Sequence, residues 1–371
     1  MNRKRNKLLA GFLAFLLLLS VIPATVSVSA QEADLTIGTL AELQAFAKAV
    51  NGGNTYEGKT VTLSADIMLG GESNPWTAIG TSANSFKGTF DGNNHVISGL
   101  YIASGSSVGF FGDVNGGTVK NLVVCGEVNG TSNVAGIVGK LTAGKVTDCG
   151  NEATVSGGTN VGGVVGSVNG DCTISGCYNK GNVIGTTGYI GGVTGQHWRA
   201  GVVENCYNAG TVTGPATVGG VSGGHKAASP ELKNCYNAGT VKDAAGNNNN
   251  IGAVIGATRG TNTNCYYLSG TGADSKGTEV ETLSAELLGD AFKEDTEGLN
   301  DGHPVLTWQK RLPDLIIGSY EALKSFADSV SAGETYEGAL IRLDVNIYLG
   351  GESNPWTAIG TSANSFKGTF D

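Results

Sequence analysis

Seven cysteines, four histidines and eleven tyrosines are the side chains of this 371-residue chain with the most chemistry to offer. Five of the thiols recur at one place in successive segments: Cys149, Cys177, Cys206, Cys235 and Cys265, in settings such as Val146-Thr-Asp-Cys149 and Leu232-Lys-Asn-Cys235. Cys125 and Cys172 stand outside that column. Zinc needs clustered thiolates and imidazoles, but no Cys-x-x-Cys occurs, and His95, His197, His225 and His303 share no column with the thiols. No metal site is expected. An oxidising export route permits disulfides between adjacent segments, yet side chains stacked in register point the same way. A column of small, polarisable core residues is the expectation.

Beside the thiols run Tyr178, Tyr207, Tyr236 and Tyr266, and near them Asn151, Asn179, Asn208 and Asn237. Stacked asparagines satisfy one another's amides, so they are read as a structural ladder. The tyrosines either stack for stability or form an aromatic strip that meets sugar rings or a partner. They are the candidate binding residues. Catalysis finds less support. Asp113, Glu127, Asp148, Glu152, Asp171, Glu204, Glu231 and Asp243 occupy different places in their segments, whereas glycoside hydrolysis needs two carboxyls at a set separation. There is no His-Glu-x-x-His, no Gly-x-Ser-x-Gly and no P-loop. Asp91-Gly-Asn-Asn94 is too poor in ligands for a calcium loop and reads as a turn. No catalytic residue and no cofactor are expected.

The segments that carry these columns are repeats. A Gly-x-x-Gly element recurs at Gly109–Gly112, Gly136–Gly139, Gly163–Gly166, Gly192–Gly195 and Gly220–Gly223, with Ala253-Val-Ile-Gly256 as a variant. The closing glycines lie 27, 27, 29, 28 and 33 residues apart, and the longest interval holds the polar run Asn247–Asn250, read as a loop. The first residue inside each pair is apolar and is expected to face inward; the second, which includes Thr194 and Ser222, is expected to face out. Two further inward columns are Val119, Val146, Ile174, Val203, Leu232 and Val128, Val155, Val183, Val212, Val241. Three apolar columns per unit, none able to bury itself alone, define a coil of a parallel β-helix. The fold expected is all-β, a right-handed solenoid of about 28 residues per coil with short helical caps. Six to seven such coils would make a rod about 30 Å long.

A coarser repeat has a period of 280: Gly70–Asp91 recurs unchanged as Gly350–Asp371. The organisation expected is therefore a signal peptide over 1–30, a cap helix and entry strands over 31–87, coils over 88–270, a closing cap over 271–314, and the start of a second copy over 315–371. The cap helix rests on Leu40, Leu43, Phe46, Ala47 and Val50 at helical spacing; the closing cap on a helical pattern over Leu283–Phe292. The array is expected to continue past Asp371. Basic Arg3, Lys4, Arg5 and Lys7, the apolar Leu8–Ile22 and the small-residue site Val28-Ser29-Ala30 mark the leader, so no membrane span remains after cleavage. Losing those four cations takes the formal charge from −9 to −13. An acidic chain without a basic run argues against nucleic acid and anionic lipid.

The glycine pairs, each followed by a second strand such as Ile174-Ser-Gly-Cys-Tyr-Asn179, resemble the GLUG-motif family of bacterial secreted and cell-surface proteins. Gly88-Thr-Phe-Asp-Gly-Asn-Asn-His-Val-Ile-Ser-Gly-Leu-Tyr-Ile102 and Gly302-His-Pro-Val-Leu-Thr-Trp308 resemble the flanks of its arrays. The resemblance implies an extracellular adhesin-like rod or scaffold, whose partner would be an extracellular glycan, the cell wall or a host surface protein. It also admits a polysaccharide-degrading β-helix enzyme, or the non-catalytic stalk of a larger surface protease.

Overall fold

One turn of the chain shows how the repeats become a wall. From Lys145 the backbone lays Lys145–Asn151 and Thr154–Gly157 on the widest sheet, Thr159–Gly162 on a second and Val165–Asn169 on a third. It returns at Cys172–Ser175, where Ile174 lies in parallel register beside Val146. The computed structural model describes residues 34–370 apart from 228–229, 245–249, 273–275, 313–314, 318–319, 344–346, 348, 350–355 and 357. It is an all-β parallel solenoid of about 11 turns. The leader over 1–30, most of the Asn247–Asn250 run and part of the repeated Gly350–Asp371 lie outside the described residues.

Parallel register joins Val61, Phe90, Val119, Val146, Ile174, Val203 and Leu232 into one buried column. Val128, Val155, Val183, Val212 and Val241 form another. β-branched residues suit both, because their stiff side chains pack well on a pleated surface. Leu35–Ile37 pairs with Thr60–Leu63, which pairs with the strand from Thr89. Counting glycine pairs misses these turns, and this is one reason the solenoid is longer than six to seven coils.

The residue before each cysteine of the column, and before Leu122 at the same place one coil earlier, turns the strand. Asn121, Asp148, Gly176, Asn205, Asn234 and Asn264 all have φ between 48° and 61°. This is the left-handed region that Asn, Asp and Gly tolerate best.

The two glycines of each pair do different work. A Cβ on Gly136, Gly163, Gly192 or Gly220 would fall 1.8–2.3 Å from the side chain of Asn151, Asn179, Asn208 or Asn237 respectively. A Cβ on Gly139, Gly166, Gly195, Gly223 or Gly256 would strike backbone of the preceding coil at 2.4–2.7 Å. None of these glycines has positive φ. Their role is steric: they let two walls and a buried amide approach.

The residues inside the pairs do not alternate as the sequence suggests. Phe110, Ile137, Val164, Val193, Val221 and Val254 face the core, but Phe111, Val138, Val165, Thr194, Ser222 and Ile255 are just as buried. One strand ends and the next begins on another sheet here, as at Ala135 and Val138. Inside–outside alternation holds only along an unbroken strand.

Helix α1 (Leu40–Asn51) opens with a capping box between Thr39 and Glu42 and buries Leu43, Phe46, Ala47 and Val50. Phe46 meets Tyr56, Phe86 and Phe90 at ring distances of 4.9, 5.8 and 5.8 Å. The second copy rebuilds this opening. Helix Tyr320–Ser331 sets Phe326 against Tyr336 and Phe366 at 4.9 and 5.6 Å, beside parallel strands Leu315–Ile317, Leu340–Leu343 and Thr369–Phe370. At the far end of the first array, Gly272 and Gly277 sit against Val241, Ala253 and Val254.

The segment after Val280 is not an end cap. Its helix is a single turn, Ala285–Leu288, and a short antiparallel pair joins Phe292–Lys293 to Val305–Leu306. The chain then runs back along the outside of the coils, where Trp308 Nε1 donates to Gly176 O at 2.9 Å. We call Leu283–Gln309 the strap.

The packing predicts a contrast between two neighbouring residues. Gly192→Ala should lower the melting temperature sharply, by an amount matching roughly 1–3 kcal/mol or more of overpacking. Thr194→Val should leave melting unchanged or raise it, because the Thr194 hydroxyl is buried without a partner. Equal shifts for the two would reject this assignment.

Candidate functional site

The tyrosine column exists, but it faces the strap rather than solvent. Tyr178, Tyr207 and Tyr236 are at most 1% exposed. Their rings stack at 5.5 and 5.0 Å with interplanar angles of 13° and 2°. Trp308 and Phe292 close the ends of the stack. Tyr178 Oη donates to Glu152 Oε1 at 3.0 Å and Tyr207 Oη to Gln309 Oε1 at 2.8 Å. Tyr236 Oη donates to Pro304 O and accepts from Asn300 Nδ2 at 2.8 Å. Burial pushes all three phenols up. A strip covered in this way cannot stack on a sugar ring, so the binding role expected for Tyr178, Tyr207 and Tyr236 is corrected to a packing role. Tyr266 is half-buried and packs against the same cluster.

The asparagine column is a buried ladder. Asn151 Nδ2 donates to Asn179 Oδ1 at 2.7 Å, Asn179 to Asn208 at 2.7 Å, and Asn208 to Asn237 at 2.8 Å. The second amide hydrogen of each reaches the carbonyl two residues on, in Ala153, Gly181, Gly210 and Gly239, at 2.7–2.9 Å. Cys149, Cys177, Cys206, Cys235 and Cys265 are free buried thiols whose sulfurs lie 3.5–3.8 Å from carbonyls of the preceding coil. Burial holds the thiols of Cys149 and Cys206 well above their ordinary range, so they are not nucleophiles at neutral pH.

The coil carboxylates Asp113, Glu127 and Glu152 are held by cations, amides or hydroxyls rather than by one another. Lys140 meets Asp113 at 3.0 Å, Asn129 donates to Glu127 at 2.7 Å, and Lys180 meets Glu152 at 3.4 Å. Asp148 is half-buried, and that burial pushes it up to about 6. Among the described residues no cluster of three or more His, Cys, Asp or Glu side chains could hold a metal ion.

Two features at fixed offsets from the closing glycines escaped the sequence reading. Two residues after the glycine, the inward column reads Val114, Leu141, Val168, His197 and His225. The two imidazoles are buried, with ring centroids 5.2 Å apart, and none of their nitrogens has a hydrogen-bond partner. The hydroxyls of Thr194 and Ser222 are in the same state. One residue further lies an outward column that includes Trp198, Lys226 and Arg259. Trp198 is 45% exposed, and Lys226 Nζ sits 3.9 Å from its ring centre. A separate cleft of about 480 Å³ runs beside Trp76, with Thr77, Thr81, Ser82, Ser104 and Ser106 on its rim.

With this geometry in view, the family model described as the GLUG motif matches residues 186–213, a stretch that contains the Gly192–Gly195 pair. The chain carries the GLUG motif. Glycine pairs at similar spacing recur in the neighbouring coils. No curated protein matches the chain. Among solved structures it is similar to a Bacteroides ovatus protein described as a "putative immunoglobulin A1 protease", at 20% identity and a TM-score of 0.59, over 75% of this chain and 93% of that one. At that identity the likeness is one of fold.

The histidine pair predicts an acid-sensitive rod. Burial, helped by the neighbouring His225, depresses His197 to about 3, and burial depresses His225 to about 4. Both are neutral when folded and must stay so. Stability is therefore complete above the ordinary histidine value of about 6.5 and falls as pH drops below it, by up to about 1.4 kcal/mol per pH unit for each ring. Denaturant melts from pH 7 to 4.5 should show the loss, and His197→Val with His225→Val should remove roughly 2–5 kcal/mol of it. An unchanged slope in the double variant would refute the assignment.

Proposed function

We propose that this GLUG chain is a secreted or cell-surface rod that acts as an adhesin-like scaffold and carries out no chemistry of its own. The observation that carries the reading is the register of the coil acids. Asp113 lies beside Lys140, Glu127 beside Thr154, Glu204 beside Ser175 and Lys233, Glu231 beside Val202 and Thr261, and Asp243 beside Gly214. A β-helix hydrolase or lyase works with carboxylates or bases gathered on neighbouring coils, and these acids have no acidic neighbour in register. Shared positions along the array are accounted for by packing. The basic, apolar, small-residue leader supports export. The partner would be an extracellular glycan, the cell wall or a host surface protein. A second reading, the non-catalytic stalk of a larger surface protease, is favoured by the description of the Bacteroides ovatus protein, and it uses the same rod.

The full chain should leave polygalacturonate, other acidic glycans and protein substrates intact, with or without calcium or zinc. Turnover that disappears in Asp148→Asn, at the coil carboxyl whose pKa burial raises, would reverse the non-enzymatic reading.

A further inference from the structure

The corner that follows the third sheet differs from the rest of the rod. Three lysines elsewhere on the coils meet carboxylates across turns: Lys120 with Asp91 at 3.0 Å, Lys140 with Asp113 at 3.0 Å, Lys180 with Glu152 at 3.4 Å. At this corner Arg199, Lys226 and Arg259 are exposed, and among the described residues none forms an ion pair. Their stacking follows from the register. His197 pairs with His225, so Trp198 and Lys226 come next in line; Gly224 pairs with Ala257, so Arg259 falls two places further, opposite Lys226. Backbone bonds hold the corner in place, from Trp198 N to Val168 O at 2.9 Å and from Lys226 N to His197 O at 2.8 Å. Coils about 4.8 Å apart thus set successive cations along the rod axis.

Aromatic surface accompanies the charge. Trp198 is among the few large apolar side chains left exposed, at 45%. Lys226 Nζ lies 3.9 Å from its ring centre and 5.9 Å from that of Tyr189. Tyr189 itself is seated on Gly224, where a Cβ would come within 3.0 Å of its ring. Exposed Asp171, one coil earlier, bounds the patch.

We infer that this corner binds an anionic polysaccharide laid along the rod, the indole face of Trp198 stacking on a sugar ring while Arg199, Lys226 and Arg259 take its carboxylate or sulfate groups. Three things favour this ligand. The cations are repeated along one axis, as a polymer of repeated anionic units requires. Guanidinium groups match carboxylate and sulfate geometry through paired N–H donors. The exposed indole offers a flat apolar face that an acidic peptide would not need but the C–H face of a sugar would use. Local charge has the sign opposite to the chain's net −9, so attraction is confined to this corner. The site adds to the display reading above and stands or falls apart from it, because it does not depend on where the chain is exported.

The test measures binding of the full chain to immobilised polygalacturonate, heparin and polyglutamate at about 50 and about 200 mM salt, where screening lengths differ about twofold. At least one of the two polysaccharides should bind at low salt and weaken steeply at high salt. The polygalacturonate and heparin arms separate carboxylate from sulfate recognition. Arg199→Ala with Lys226→Ala and Arg259→Ala should weaken binding at least about tenfold and flatten its salt dependence, because charge pairing supplies that dependence. Trp198→Ala should weaken polysaccharide binding several-fold. All four side chains are exposed, so unchanged melting temperatures will show that the rod is intact. The proposal fails if neither polysaccharide binds at low salt, or if binding ignores the triple substitution. It also fails if polyglutamate binds as well as the polysaccharides and Trp198→Ala has no effect.

Discussion

The structure depends on one interlock, the seating of a buried asparagine amide against a glycine that cannot carry a side chain. Asn151, Asn179 and Asn208 each satisfy both amide hydrogens inside the wall, one on the next asparagine and one on a nearby carbonyl, while Asn237 ends the ladder on the Gly239 carbonyl and the Thr271 hydroxyl. Leaving such a group unsatisfied when buried would cost about 1–3 kcal/mol, so the ladder fixes the height of each coil on the next. The amides occupy the space where Gly136, Gly163, Gly192 and Gly220 would otherwise carry a Cβ. Where the ladder stops, the requirement lapses. Tyr267, not asparagine, pairs with Asn237, and the next pair opens with Ala253 instead of glycine.

Once register is held this way, each column becomes an independent choice of side chain. The column of Val114, Leu141 and Val168 continues as His197 and His225 without interrupting the sheet. The neighbouring column changes from Phe111, Val138 and Val165 to Thr194 and Ser222 in the same coils. Polar groups without partners in the core reduce stability. Ladder and glycine contacts in the same coils offset that loss. The outward column one residue on is free to carry Trp198, Lys226 and Arg259, because nothing in the interlock involves it.

Much of this was legible because a solenoid writes its contacts into its period. Val119, Val146, Ile174, Val203 and Leu232 are separated by one coil each, and residues that share a place in the coil share a neighbour in space. The same rule locates the histidine and cation columns, at two and three residues past the closing glycines; weighing His197 and His225 only as metal ligands beside the thiols passes over it. Sidedness was less legible. Alternation carried across a bend between sheets puts Thr194 and Ser222 outside, whereas both are buried. The tyrosines were recognised as a column, but what covers a column is not periodic. Trp308 reaches Gly176 across 132 residues of sequence, and the strap repeats nowhere in the coils.

That strap alters how the rod comes apart under load. A stack of coils that touch only their neighbours unravels from its end, one unit after another. Here Gln309, Pro304 and Trp308 grip Tyr207, Tyr236 and the Gly176 carbonyl, in three successive coils, from outside. The strap follows those coils in the chain, so tension entering from the C-terminal side reaches it before it reaches any of them. Its bonds join three coils from outside, so those coils cannot separate one at a time without breaking them. Those three coils must then hold or yield as a group, and the strap works as a mechanical clamp on them.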